Sequence, residues 1–291
     1  MQSGDICVLH FSWHLFIMDK IVPKISVIMG IYNCAPYLQE ALDSLYAQTF
    51  QDFEIILCED GSDDNTYEIA KKNADAHQNI KLLRNERNMG LNKTLNNCLA
   101  VAEGEYVARM DGDDISFPTR FEKEVTFLDS HPEYAIVSCP MVYFDEDGEF
   151  ARGEGGGEAD KDALNYATPF CHAPCMIRRE AYLAVGGYTV EKLLLRYEDY
   201  NLWTKMFIKG YRGYNLSEPL YAMRDDRNAI KRRTFRSRLN GIYAHWIAYR
   251  GLKLSAIKFV LFVILVFIKG VIPSKLYKWI HQRKLNSHDS L

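Results

Sequence analysis

Short, nearly continuous apolar runs alternate along the chain with segments whose apolar residues recur at helical spacing. The run KISVIMGIYN ends at Gly30 and predicts a strand, with Asn33 and Pro36 shaping the turn that follows. From about Tyr37 to Gln48, Leu38, Ala41, Leu42 and Leu45 share one face of a predicted helix. FEIILCEDGSDDNT predicts a second buried strand that breaks into an acidic turn, and TYEIAKKNADAH a second helix. IKLLRNERNMG, LNKTLNNCLAVA and EYVARM continue the series as strand, helix and strand. Such alternation predicts an α/β fold with a doubly wound, mostly parallel, Rossmann-like sheet, whose ligands sit beyond the carboxyl ends of the strands.

Further on, FPTRFEKEVTFLDSHPEYAIVSCPMVYF reads as helix then strand. EDGEFARGEGGGEAD reads as a flexible polar interruption, a mobile loop or lid. HAPCMIRREAYLAVGGY returns to strand and helix. YEDYNLWTKMFIKGY places Glu198 and Asp199 ahead of an amphipathic helix carrying Leu202, Trp203, Met206 and Phe207.

The most apolar segment, LSAIKFVLFVILVFIKGVIP, has only Phe259 to Ile268 uncharged between Lys258 and Lys269. A spanning helix needs about 20 apolar residues. With Lys253, Lys275, Tyr277, Lys278 and Trp279 around it, the segment reads as a helix in the membrane interface; a buried core helix is the alternative.

Composition changes this picture in three places. Length and charge, 291 residues and a net −3, fit one large α/β domain or two modest ones and no nucleic-acid partner. The charge is uneven, since twelve Lys and Arg follow Lys231 against a single acid, Asp289. Seven scattered cysteines predict free thiols in a reducing cytosol, and Cys171, His172 and Cys175 lack the second ligand cluster a structural zinc needs. The N-terminus has neither a basic leader nor a cleavage site, and residues before Met18 read as an optional extension or a misassigned start. The expected division is residues 1–21 as an extension, 22–225 as a catalytic domain and 226–291 as a basic, apolar, helical membrane-associating region.

The chemistry is announced by VARMDGDDISFP, which sets Asp111, Asp113 and Asp114 at the end of the fourth strand. Carboxylates this close raise one another's pKa unless a cation sits among them. Hard Mg²⁺ or Mn²⁺ prefers oxygen ligands and completes its shell with water and substrate phosphates, which points to a nucleoside diphosphate.

SVIMGIYN, EDGSDDNT, ARMDGDD and YEDYNLW, in this order and spacing, resemble the inverting family 2 glycosyltransferases of the bacterial O-antigen and capsule type, which have the GT-A fold. The resemblance covers about Lys24 to Arg224. It implies that Tyr32 stacks on the nucleotide base, that Asp60 bonds base or ribose, and that Asp113 binds the metal while Asp111 and Asp114 share ribose, metal or donor-sugar contacts. It also implies a catalytic base on YEDYNLW, a place that Asp199 takes with Glu198 beside it. A sugar hydroxyl needs such a carboxylate to remove its proton as it attacks. Lys93 and Arg109 are candidates for phosphate or base contacts, and His172 and Arg178 lie in a segment expected to line the cleft. Two positions depart from the family pattern: Gly30 stands where many members carry a hydroxyl, and Glu59 replaces the usual first Asp of DDGS.

The implied protein is a hexosyltransferase using Mn²⁺ or Mg²⁺ and a UDP-hexose, with glucose or galactose transferred in β linkage. Its acceptor would be a lipid-linked, GlcNAc-terminated undecaprenyl diphosphate, met at the cytoplasmic face of the bacterial inner membrane. A nucleotidyltransferase is a competing class, but GIYNCAPYL lacks the Gly-rich basic phosphate loop expected after its first strand. A non-catalytic sugar-nucleotide-binding module has no need of Asp60, Asp111, Asp113, Asp114 and Asp199 together.

Overall fold

A computed structural model gives the fold, and the structure describes residues 22–225 and 235–271. The expected extension over residues 1–21 lies outside them, as do Arg232, Arg233 and the basic and aromatic residues from Lys275 onward.

Strands β1 (Ile25–Ile31), β2 (Phe53–Glu59), β3 (Ile80–Arg84) and β4 (Tyr106–Arg109) alternate with helices α1 (Leu38–Tyr46), α2 (Thr66–Ala76) and α3 (Leu91–Val101). The four strands pair in parallel in the order β3-β2-β1-β4. Next come β5 (Ile115–Ser116), α4 (Arg120–Ser130), β6 (Tyr134–Ser138), β7 (Met141–Asp145), β8 (Gly148–Arg152) and β9 (Gly157–Glu158). The chain continues with β10 (Met176–Arg178), α5 (Arg179–Ala184), α6 (Glu198–Ile208), β11 (Arg212–Asn215) and β12 (Tyr221–Arg224), then α7 (Phe235–Leu252) and α8 (Ala256–Val271). The large sheet extends as β4-β10-β6-β11-β9, with β10 antiparallel to both its neighbours, and a second sheet runs β5-β12-β7-β8.

Period-two alternation divides the core between the two faces of the large sheet. Val27, Met29 and Ile31 point to one face, with Leu38, Leu42 and Leu45 of α1 and Phe121 of α4. Ile28, Ile56 and Cys58 point to the other, with Leu95 and Cys98 of α3 and Trp203 and Met206 of α6. The six described cysteines are free thiols.

The polar stretch after Asp145, read as a flexible interruption, is built instead into two edge strands. β8 pairs with β7, and β9 pairs with β11. Residues exposed on both faces of an edge strand carry no apolar alternation, so the pattern conceals them.

Helix α7 packs on α6, burying Ala244 and Ala248 one turn apart. Gly241 lets α7 approach the residue just ahead of α6, because a Cβ there would come within 2.3 Å of the Tyr197 hydroxyl. Among the described residues no helix is long and apolar enough to cross a membrane.

Candidate active site

Parallel pairing in register brings the carboxyl ends of β1, β2 and β4 to one edge, since Ile31 pairs with Glu59 and Ile28 with Arg109. Two loops leaving that edge are stapled to each other. The Asn33 and Cys34 amides donate to the Ser62 and Thr66 hydroxyls at 3.1 and 2.9 Å, and the Asp63 amide donates back to Asn33 Oδ1 at 2.9 Å. Tyr32, at the end of β1, stands 44% exposed above them.

Asp60 is buried and bound from within. Its Oδ1 accepts from Asn85 Nδ2 and the Met89 amide, both at 2.7 Å, and its Oδ2 from the Gly90 amide at 2.9 Å. It therefore fixes the loop that opens α3. Glu59, fully buried, accepts from the Ser62 amide and from Arg84 Nε. Lys93 is exposed on the first turn of α3.

The three aspartates after β4 have different surroundings. Asp111 pairs with the buried Arg109 at 2.5 Å. Asp114 accepts from the Tyr221 hydroxyl at 2.9 Å and the Arg224 amide at 2.8 Å. Burial, with Asp111 and Asp113 nearby, pushes its pKa up to about 8. No hydrogen bond from another side chain reaches the Asp113 carboxylate among the described residues. Burial and the Asp111 charge push its pKa up to about 6. That destabilised anion, in an all-oxygen setting, fits a hard divalent ion. Among the described residues no group of three or more His, Cys, Asp or Glu is arranged to hold a metal. The fit is therefore to an ion that takes one or two carboxylates and leaves its other positions to water and phosphate oxygens.

Arg109 supplies a built-in cation that the spacing of the aspartates did not reveal. Its charge opposes the rise that burial causes at Asp113, Glu198 and Asp199 and adds to the fall at His172, and among the described residues its buried Nε has no partner.

Glu198 and Asp199 open α6, and burial raises both carboxyls above their usual range. Asp199 Oδ1 accepts from the Tyr200 amide at 2.7 Å, while Glu198 Oε2 is buried without a partner among the described residues. Both line a cavity of about 560 Å³ together with Arg109, Asp111, His172 and Arg196. Tyr32, Asp60, Lys93, Asp113 and Asp114 are not among its lining residues. His172 faces the cavity with Nε2 2.8 Å from the Tyr188 hydroxyl, and burial drives its pKa well down, so the ring is neutral. Arg178 is structural, donating to the Leu128 and Tyr134 carbonyls at 2.7 and 3.0 Å.

Sequence reasoning missed Tyr221, Arg224 and Arg196. Tyr221 and Arg224 come from β12, more than a hundred residues beyond Asp114. Arg224 also donates from Nε to the Asp113 carbonyl at 3.1 Å and stacks over the Tyr37 and Phe144 rings, both at 4.4 Å. Arg196, two residues before Glu198 in the YED segment, was the one within reach of the motif.

A mostly parallel sheet with acidic loops at its carboxyl edge, and paired carboxylates facing a cavity beside an arginine, fits the GT-A architecture of glycosyltransferases. The chain belongs to glycosyl transferase family 2, whose profile matches residues 26–186. It is 40% identical over 265 residues to EpsE of Bacillus subtilis (strain 168), covering 90% of this chain and 95% of that one. It is 30% identical over 276 residues to the UDP-Gal:alpha-D-GlcNAc-diphosphoundecaprenol beta-1,3-galactosyltransferase of Escherichia coli, covering 91% and 98%. Among solved structures it resembles S. aureus TarS 1-349 in complex with UDP-GlcNAc, with TM-score 0.59 and 25% identity, covering 69% of this chain and 58% of that one.

Proposed function

We propose that this glycosyltransferase moves a hexose, glucose or galactose, from a UDP-sugar to a lipid-linked GlcNAc diphosphate with inversion, giving a β linkage in O-antigen or capsule repeat-unit assembly. The observation that carries the reading is that Asp199 and Glu198 face the same cavity as Asp111 and Arg109. The activities of two Escherichia coli relatives, a galactosyltransferase and a glucosyltransferase acting on GlcNAc-diphosphoundecaprenol, support the substrate class.

Asp199 is the base that takes the acceptor hydroxyl proton, and Glu198 beside it keeps the local charge negative. Asp113 would hold Mn²⁺ or Mg²⁺, which would supply positive charge against the departing diphosphate. Arg109, orienting Asp111, adds a fixed cation on the same side. Tyr32 stacks on the base, and Asp60, Lys93, Asp111 and Asp114 shape or contact the donor. Residues 22–225 form the catalytic domain. Residues 226–291 hold it on the cytoplasmic face of the inner membrane, where the exposed apolar residues of α8 meet lipid.

The test is release of nucleoside diphosphate from UDP-, GDP- and dTDP-hexoses, with Mn²⁺ or chelator, and with a short-chain GlcNAc-diphosphate lipid as acceptor. Release from one UDP-hexose that needs both metal and acceptor is the expected result. Turnover with a different nucleotide, or without the lipid, would overturn the assignment.

A further inference from the structure

The segment ahead of α6 combines three features that the donor chemistry does not use. Arg196 lines the cavity, and its φ of 69° puts a non-glycine residue in the left-handed region. Such a conformation costs energy and persists only where surrounding structure enforces it. Here the enforcement is visible. Asn240 of α7 reaches across with Nδ2 3.4 Å from the Lys192 carbonyl and 3.2 Å from the Leu195 carbonyl, Leu194 is buried, and the Arg196 backbone bonds the Glu198 carboxylate.

The second feature is charge. Among the described residues the cavity is lined by two arginines, Arg109 and Arg196, and Arg109 is committed to Asp111. Arg196 has no ion pair among the described residues, and its carboxylate neighbours on the lining are Glu198, Asp199, Asp111 and Glu154. An exposed arginine fork on the lining of an acidic cavity is suited to two oxygens of a phosphate group.

The third is apolar exposure on the same segment: Val190, Leu193 and Leu195 are 60%, 49% and 63% exposed. Arg196 follows Leu195 directly and precedes the Glu198 and Asp199 pair by two and three residues.

We infer that residues 190–196 form the docking lip for a prenyl diphosphate acceptor: Arg196 takes the diphosphate, and Val190, Leu193 and Leu195 take the first prenyl units as they leave the cavity. The inference deepens the lipid-linked acceptor reading and rests on it. In this arrangement the saccharide enters toward Asp199, the diphosphate stops at the mouth, and the chain runs outward over leucines. The left-handed turn at Arg196 sets the spacing between anion and base.

The test uses the full chain with UDP and Mn²⁺ saturating, so that the donor site is filled, and calorimetric titration with farnesyl diphosphate, farnesyl monophosphate and farnesol. Wild type should bind the diphosphate more tightly than farnesol. Arg196→Gln should weaken diphosphate binding by about tenfold or more, the scale of a charge-assisted contact, with farnesol unchanged. Leu193→Ser with Leu195→Ser should weaken all three probes together. Arg196→Asn, which tolerates the left-handed turn, serves if the Gln variant melts early. Equal diphosphate affinity in wild type and the Arg196 variants, or no preference for diphosphate over farnesol, overturns the site. The probes carry no sugar, which separates the two readings. Arg196-dependent binding without transfer to the GlcNAc lipid overturns the sugar assignment alone, and transfer with Arg196-independent binding overturns the lip alone.

Discussion

The Tyr221 hydroxyl donates to the Asp114 carboxylate at 2.9 Å while it accepts the Asp111 amide at 3.1 Å. One buried phenol thus fixes both ends of the DGDD turn, and its ring lies against the guanidinium of Arg120, which is buried and donates to the Arg109 carbonyl at 2.9 Å. Tyr221→Phe removes one of the two donors to the buried Asp114 carboxylate and the acceptor of the half-buried Asp111 amide. It should cost about 1–3 kcal/mol of stability and raise the KM for the UDP-sugar about tenfold, with kcat changed less. Chemical denaturation and steady-state kinetics on the same preparation check both.

Asp113 and Asp199 are assigned different work, so their substitutions should separate. Asp113→Ala should abolish metal-dependent donor binding. Asp199→Asn should leave donor binding nearly intact and reduce turnover by about 10² or more, as expected for loss of a general base. Calorimetry with UDP and Mn²⁺, set beside turnover, gives the comparison, and equal loss of binding in both variants would refute the division.

A base acts only when deprotonated. Burial raises the Asp199 carboxyl above its ordinary value of about 3.9, so activity should be lost as pH falls through a pKa higher than that of a free aspartate. The acidic limb of kcat against pH should therefore lie above the ordinary carboxylate range, and a limb at or below it would show that another group is the base.

The pattern of apolar positions revealed the four parallel strands, their helices and the edge where Tyr32, Asp60 and the DGDD turn emerge, because each of these rests on local periodicity. The insertion of β10 antiparallel between β4 and β6 was not legible, since side-chain alternation reports faces and says nothing of strand direction. Nor was the second sheet, where Tyr221 pairs with Ser116 on one side and Met141 on the other.

Spacing alone also left the three aspartates interchangeable. Their surroundings distinguish them: Asp111 faces Arg109, Asp114 faces Tyr221, and Asp113 keeps its carboxylate open. Arg109 stood in the sequence as a candidate contact to the donor. That it neutralises the acidic turn from within depends on its burial, which composition does not report.

His245 joins three helices. Its ring stacks on Phe262 of α8 at 3.6 Å, and its Nδ1 lies 3.1 Å from the Tyr200 hydroxyl of α6, which itself donates to the Leu164 carbonyl. Burial lowers its pKa from 6.5 to about 4. The unfolded chain then binds more protons than the folded one between those values, so the stability is fully present above pH 6.5 and lost as pH falls toward 4, by up to about 3 kcal/mol. His245→Gln should flatten the stability profile across that window relative to wild type. Urea midpoints at pH 4, 5, 6 and 7 measure the difference.

Helix α8 turns one face inward, through Phe262 on His245, Phe259 on Tyr249 and the buried Val266. The opposite side leaves Ile257, Val260, Leu261, Ile264, Leu265 and Ile268 between 47% and 75% exposed, a row of apolar side chains along one face. Too short to cross a bilayer in its described length, such a helix is suited to lie in the interface, with Arg250 and Lys253 from the end of α7 nearby in the chain to meet anionic headgroups. Leu261→Glu with Leu265→Glu alters only exposed positions. It should reduce sedimentation with anionic vesicles about tenfold or more while leaving the melting temperature and UDP-sugar hydrolysis unchanged. If the variant still sedimented with vesicles but changed from dimer to monomer in light scattering, the face would belong to a second copy of the chain instead of to lipid.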